Sequence, residues 1–499
     1  MSRAFSFVVS ALFVGVAGAA TVSGVKIQQL WPWSTDVKLT FSLSDVTGPT
    51  DVKIKCFDGN TEISTAKLHN SIKGDDLYGI TSDGERTVMI DPVKAFGVSS
   101  GSFADFNVEL TAVDSPDNTD EVIYKIFDLN EKTCTNVTRA DILNRRYGDY
   151  ETDFGCLGAG FSTTLPDVLI WTAVTNGTEY KTDKLVMRKI PAADVEWTIG
   201  SPVGERGRDY NDEGGRETQH KVKLTEDYFI GVFEMTQYQA LKVWATINGT
   251  DTSEHHFSTF PDSDLRPYTG MTFNSIRGFT SWAAHSADKD AYPKINWPTN
   301  SPMHTVFYNR FAGKLRSMFR NYAGTDFDLP TSAQWEFACR AGTSTGLNSG
   351  KEVTTVATDA RCPNVDEIAW NAYSDYSDVD GGTNQTRAVG LKKPNAFGLY
   401  DMHGNAEEQC LDVHSADISV FYDGEADSGH TSLLVDPVGP TWTTDGNPQR
   451  TLRGGSYTRS NRYIRSGYRD GGGHTTQSQH KANVGFRMVM PAADTGWAK

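Results

Sequence analysis

Two stretches, Leu329–Gly342 with the sequence LPTSAQWEFACRAG and Leu452–Tyr457 with the sequence LRGGSY, decide how the larger part of this chain is read. In the first, Thr331 follows Pro330 and can cap a helix, its hydroxyl accepting an early backbone N–H that the helix leaves unpaired. Ser332, Gln334 and Glu336 fill the first turns, while Trp335, Phe337 and Ala338 carry the side to be buried. In the second, consecutive glycines permit a tight turn at φ values that other residues resist, and Arg453 can bridge several carbonyls with its fork of donors. Both stretches read as scaffold. Outward from them, from Leu185 on, glycine, tryptophan and arginine recur in short polar loops. One more helix is expected, from about Thr236 to Ile247, with Tyr238, Leu241, Val243 and Trp244 apolar. So little regular structure over so long a region needs other ties: buried arginine-to-carbonyl bonds, aromatic stacking and bound ions.

The N-terminal part is patterned differently. Val37, Leu39, Phe41 and Leu43, then Val52, Ile54 and Cys56, then Phe106, Val108 and Leu110 alternate with polar residues, and Gly-Asn, Ser-Asp-Gly and Ser-Pro turns break the runs. Period-two alternation of this kind predicts antiparallel strands, a small β-sandwich of the immunoglobulin or fibronectin type over residues 21–130. Residues 131–184 read as a connector able to complete that domain, with an apolar, strand-like run from Val168 to Val174. The chain is therefore expected to be α+β: a sandwich followed by a loop-rich domain over residues 185–493.

Residues 1–20 combine Arg3, an apolar run from Ala4 to Val16 and the small residues Ala17, Gly18, Ala19 and Ala20. That order predicts a secretory signal peptide and a secreted, periplasmic or cell-surface protein. No later stretch reaches the ~18 consecutive apolar residues of a membrane span. A net charge of −16 over 499 residues argues against nucleic-acid or anionic-membrane partners, either of which would reward a basic patch. The six cysteines are an even number for an oxidising compartment and form no C-x-x-C pair. Cys134 with Cys156 is the expected local bridge, and the other pairings stay open.

Five segments stand in an order that resembles the formylglycine-generating enzyme, or sulfatase-modifying factor, family. They are LVMRKIPAADVEWTIGS from Leu185, HKVKLTEDYFIGVFEMT from His220, the Leu329–Gly342 helix, PNAFGLYDMHGNAEEQCLD from Pro394, and RGGSY, RSGYR and GFR between Leu452 and Arg487. The resemblance implies a fold related to C-type lectin domains, a small twisted sheet wrapped in long loops. Family members that oxidise a sulfatase cysteine use two cysteines shortly after the GGS turn to bind copper, and soft Cu(I) requires thiolates. From Arg453 to Lys499 this chain has no cysteine, and TRSNRYI, Thr458–Ile464, offers arginine, serine and tyrosine instead. The tryptophans that the family sets around its glutamate are Glu407 and Gln409 here. No catalytic residue is assigned, and copper is not expected. The resemblance also carries over a calcium site made of the Asp401 side chain, the carbonyls of Gly404 and Ala406, and the Glu408 side chain. Hard oxygens in one tight loop suit Ca²⁺; the alternative is an ordinary loop in which Asp401 caps its own backbone.

Two functions follow. The first is a non-catalytic module that binds a protein or glycan ligand through the loop Tyr457–Ala482, using Arg459, Arg462, Tyr463, Tyr468, Asp470, His474 and His480. Tyrosine, arginine and asparagine on a rigid frame are what binding loops favour, and the layout also resembles the diversified lectin-like proteins of retroelement systems. The alternative is a formylglycine-generating oxidase acting on exported sulfatases.

Overall fold

The alternating N-terminal runs form seven strands: β1 (Thr21–Gln29), β2 (Val37–Ser44), β3 (Thr50–Asp58), β4 (Thr61–Ile63), β5 (Ile72–Gly74), β6 (Gly84–Ile90) and β7 (Phe106–Asp114). The computed structural model describes residues 20–30, 34–63, 68–96, 106–151, 169–208, 217–245, 263–277, 310–322, 324–357, 360–374, 384–414, 433–438, 449–470 and 481–493. The expected signal peptide lies outside the described residues, as do Cys156, His474 and His480. Among the described residues Cys134 is a free thiol.

The chain makes two units, one of Met1–Ile123, Val137–Glu151 and Trp171–Ala173, the other of Tyr124–Asn136, Thr152–Ile170 and Val174–Lys499. In the first, strands run in the orders β1-β2-β6-β5 and β4-β3-β7, and every pairing is antiparallel. Side chains of alternate residues share one core, in which Leu39, Phe41, Cys56, Val88 and Ile90 are wholly buried. A short helix, Arg139–Leu143, starts from a capping box of Thr138 and Asp141. Just after it, the Asn144 side chain accepts the N–H groups of Leu77 and Tyr78 and donates to the Tyr78 carbonyl. Part of the expected connector thus completes the first unit. Of the run read as strand-like, Val168 lies outside the described residues and the end enters a tight 3₁₀ turn at Thr172–Thr175, beside which the Trp171 indole donates to the Tyr147 carbonyl.

In the second unit, β8 (Val122–Asp128), β9 (Thr133–Thr138), β10 (Lys184–Ile190), β13 (Tyr228–Gly231) and β20 (Val489–Pro491) lie in the sheet order β20-β13-β10-β8-β9. β8 falls inside the stretch read as sandwich, but it spends its hydrogen bonds on β10, with Tyr124 opposite Arg188 and Phe127 opposite Leu185. The remaining strands are short: β11 (Glu196–Ile199), β12 (His220–Lys223), β14 (Ala369–Trp370), β15 (His403–Gly404), β16 (Glu407–Val413), β17 (Leu434–Val435), β18 (Arg450–Arg453) and β19 (Val484–Gly485). They pair as β11-β12-β17, β14-β15 and β18-β16-β19. Both expected helices are present, at Gln237–Ala245 and Ser332–Arg340, and the second has Thr331 as N-cap in a capping box with Gln334. The unit is strand-bearing, with few helices and long loops.

Candidate functional site

Arg453, at the end of β18, is wholly buried and organises the loop that follows it. Its guanidinium donates to the carbonyls of Ser466, Gly467 and Tyr468 and to the Ser332 hydroxyl, and pairs with Glu336 at 2.9 Å. Loop and helix are thereby tied through one side chain. Gly455 sits at φ 68°, and a Cβ there would lie 2.6 Å from the Tyr463 carbonyl oxygen, so the turn admits only glycine. Arg465 is held between Glu205 and Glu217, and Arg487 reaches the carbonyls of Gly231 and Tyr400. These arginines tie the scaffold, the role that the RGGSY context gives to Arg453.

Of the expected calcium ligands, Gly404 lies in β15 and Glu408 in β16, while Asp401 precedes β15 and Ala406 falls between the two strands. Asp401, at φ 54°, is buried; its Oδ2 accepts the Gly390 N–H, and its Oδ1 has no hydrogen-bond partner. Glu408 is engaged by Arg487 through both oxygens, at 2.7 and 2.6 Å, and Oε2 also accepts the Trp335 indole N–H. A third carboxylate, Glu234, accepts the Ala406 N–H and the Asn405 side-chain amide and so fixes this loop. Burial, then the charges of Asp401 and Glu408, push Glu234 well above the usual carboxylate range; burial likewise lifts Asp401 to about 6. The orphan Asp401 oxygen and the local excess of carboxylates fit a hard cation, and the Arg487 pair leaves Glu408 Oε1 with one donor and room for a second contact. Among the described residues no three His, Cys, Asp or Glu side chains alone form a metal cage, so any ion here would need the loop carbonyls. Sequence reasoning missed Glu234; the available signal was a lone acid within the apolar run Tyr228–Met235.

The expected ligand residues do not act as one set. Arg459 donates Nε to Glu407 at 3.0 Å and pairs with Asp470 through its other end. Tyr463 and Tyr468 pack edge to face at 5.1 Å, and the guanidiniums of Arg459 and Arg462 each lie 5.4 Å from the Tyr463 ring centre. Arg462 and Tyr463 are half-buried, whereas Tyr468 and Asp470 are buried, so these two face the interior of the loop. Glu407, which replaces a family tryptophan, is 1% exposed; Asn483 donates to its Oε2 at 3.1 Å. Burial pushes Glu407 up to about 7 against the pull of Arg459. Glu407 and Asn483 were absent from the sequence-based ligand set, and their signal was an acid next to Glu408 and an amide two positions before the GFR segment.

Behind the loop, the Cys339 thiol lies 3.6 Å from His403 Nε2, which also accepts the Asn348 N–H. Burial raises Cys339 to about 12 and lowers His403 to about 3, so the pair is uncharged and no thiolate forms.

Comparison with known proteins accords with this arrangement. Residues 185–492 match the model of the sulfatase-modifying factor enzyme 1-like domain. A protein named chaperone protein LppX from Paenibacillus barcinonensis is 28% identical over 38% of this chain and 63% of its own length. Formylglycine-generating enzymes from Streptomyces coelicolor and Mycobacterium tuberculosis are each 29% identical, over 33% and 42% of this chain and 46% and 58% of theirs. The chain thus spans less than two thirds of the length of each of these relatives. Among solved structures, Treponema denticola variable protein 1 is similar at 23% identity, covering 62% of this chain and 95% of that one with a TM-score of 0.39. PvdO from Pseudomonas aeruginosa is similar at 20%, covering 61% and 94%, also at 0.39. With the family model matching more than half of its length, the chain belongs to the sulfatase-modifying factor, or formylglycine-generating enzyme, domain family.

Proposed function

We propose that this protein is an exported, non-catalytic member of its family that binds a protein or glycan ligand through the loop Tyr457–Ala482. One observation carries the reading: the segment after the GGS turn, where the resemblance calls for a copper-binding cysteine pair, holds no cysteine. Without thiolates a Cu(I) ion has no soft ligands there, and Arg459 is instead locked to Glu407 and Asp470. The apolar segment with its small-residue end supports export, and the strand orders β1-β2-β6-β5 and β4-β3-β7 support an immunoglobulin- or fibronectin-like sandwich as the N-terminal unit. The unpaired Asp401 oxygen supports calcium, with the carbonyls of Gly404 and Ala406 and the carboxylate of Glu408 completing the set. A hard cation there would neutralise the clustered acids and stiffen the loop. The test is incubation with copper, oxygen and a peptide carrying a sulfatase-type cysteine. Unchanged peptide mass is expected; conversion to an aldehyde would establish the oxidase reading and end this one.

A further inference from the structure

Beside the locked Arg459 lies an open cavity of about 200 Å³, with Glu407, Arg459, Lys481 and Asn483 as its polar wall and Leu452 and Val484 as its apolar one. It has room for roughly six water molecules at ~30 Å³ each. We propose that this cavity seats one neutral, polyhydroxylated group, the terminal sugar of a glycan. The inference rests on the binding reading above and names the class of ligand.

The wall is fixed before any ligand arrives. Glu407 is held at Oε1 by Arg459 and at Oε2 by Asn483, and the Asn483 amide also lies 3.2 Å from the Ser456 hydroxyl. The far end of Arg459 is clamped by Asp470. Preorganisation of this kind spares a ligand the entropy of ordering the site. Capacity nevertheless remains. A carboxylate offers about four lone-pair sites, and each Glu407 oxygen accepts one of these two bonds; a guanidinium carries five N–H donors, of which Nε and one terminal nitrogen are engaged here. Spare acceptors and spare donors therefore stand side by side, the complement of adjacent hydroxyls, each of which gives one hydrogen and takes one.

Charge narrows the class further. Asp470 lies outside the lining but clamps Arg459, and with Glu407 it balances Arg459 and Lys481, so the cavity together with its clamp carries no formal net charge. A phosphate or sulfate would press on the Glu407 carboxylate, and an ammonium on two cations. A purely apolar group would strip water from Glu407 and Arg459 without replacing their hydrogen bonds. A sugar ring meets both demands, its hydroxyls on the polar wall and its C–H face on Leu452 and Val484.

The experiment titrates the purified full-length protein with the methyl glycosides of glucose, galactose, mannose and N-acetylglucosamine, with inorganic sulfate and butylamine as charged probes, and follows side-chain NMR signals. At least one glycoside is expected to bind saturably with millimolar affinity, shifting the Asn483 amide and the Arg459 Nε–H. Asn483→Ala should weaken it at least tenfold and lower the melting temperature somewhat, since Glu407 Oε2 loses a donor, whereas Lys53→Ala, an exposed position of the first unit, should leave it as it was. Should Asn483→Ala unfold the protein, the shift map of the unaltered protein decides alone. No saturable glycoside shift at these two groups, or binding of sulfate or butylamine in their place, overturns the inference. A protein partner still captured through Arg462 and Tyr463 would then leave the binding reading standing; loss of both would end both.

Discussion

Phe41 and Arg453 are both wholly buried, and they show two ways of filling an interior. Around Phe41 the first unit packs leucine, valine and isoleucine from alternating strands, and the order of the chain there is the order of its sheets. Around Arg453 the second unit has little sheet to spare, and its loops are ordered by a cation that answers carbonyls and a carboxylate. The first kind of interior tolerates a substitution of similar volume. The second does not, because removing one partner strands the others without hydrogen bonds.

The sharpest way to break this contrast is to delete each anchor. Arg453→Ala should destabilise the second unit by about 3–5 kcal/mol, since it strands Glu336 Oε2 and the carbonyls of Ser466, Gly467 and Tyr468, even though Arg340 still holds Glu336 Oε1. Arg453→Lys should recover little, because an ammonium cannot reproduce the planar fork. Phe41→Ala should cost a similar ~3–5 kcal/mol through cavity formation, yet Phe41→Leu should recover most of it. Urea unfolding followed by hydrogen exchange reads both effects. A well-tolerated Arg453→Lys would erase the distinction between the two interiors.

Protonation gives a second cut. Burial, and after it the adjacent Arg340 charge, holds the pKa of His403 at about 3 against an ordinary 6.5. Between those values the unfolded chain binds more protons than the folded one, so the stability owed to neutral His403 is complete above pH 6.5 and is lost as pH falls towards 3. From pH 6.5 to pH 4 the loss should be about 3 kcal/mol. In His403→Gln that share of the acid slope should vanish, while apolar substitutions around Phe41 should leave it in place. An unchanged slope in the variant would show that His403 gains a proton without unfolding the site.

Calcium, if bound as proposed, would act on the same polar interior. At a hundredfold excess over Kd it should add ~2.7 kcal/mol to the stability of the second unit. Asp401→Ala should abolish the response, and the exchange rates of β1 to β7 should not change. Equal melting temperatures in EDTA and millimolar calcium would remove the metal from the proposal.

How far the sequence exposed all this follows from the same contrast. Strand alternation and helix caps are local, so β2, β3, β7 and the Thr331 cap were readable from neighbours in the chain. The family segments marked the second unit because they preserve the residues that tie loops together. What stayed hidden is long-range. Glu234 meets Asn405 across 171 positions, and Arg465 meets Glu217 across 248. No spacing rule links such pairs. β8 was misplaced for a related reason: it falls before the boundary drawn at residue 130, and only its pairing with β10 says otherwise. Tyr468 read as a ligand residue because tyrosine is amphipathic, and its burial against Tyr463 depends on how the GGS turn aims the loop.

The smallest expected effect on stability is the one that decides where binding resides. Arg462 and Tyr463 are half-buried on the outer side of the loop, whereas Tyr468, five residues beyond Tyr463, is 9% exposed. Replacing Arg462 and Tyr463 together by alanine should therefore cost only about 1 kcal/mol, the loss of one aromatic pair. Tyr468→Ala should cost roughly 3 kcal/mol or more, as a large buried ring does. Affinity should run the other way, because tyrosine and arginine at the centre of an interface each contribute ~2 kcal/mol or more. The double variant should lose the ligand while its melt shifts only slightly. The control belongs in the other unit: Lys53→Ala with Glu85→Ala removes two exposed charges from β3 and β6 and should alter neither melt nor affinity. If that control loses the ligand while the loop variant keeps it, the binding face lies on the first unit, and the polar interior of the second unit supports a loop that does not bind.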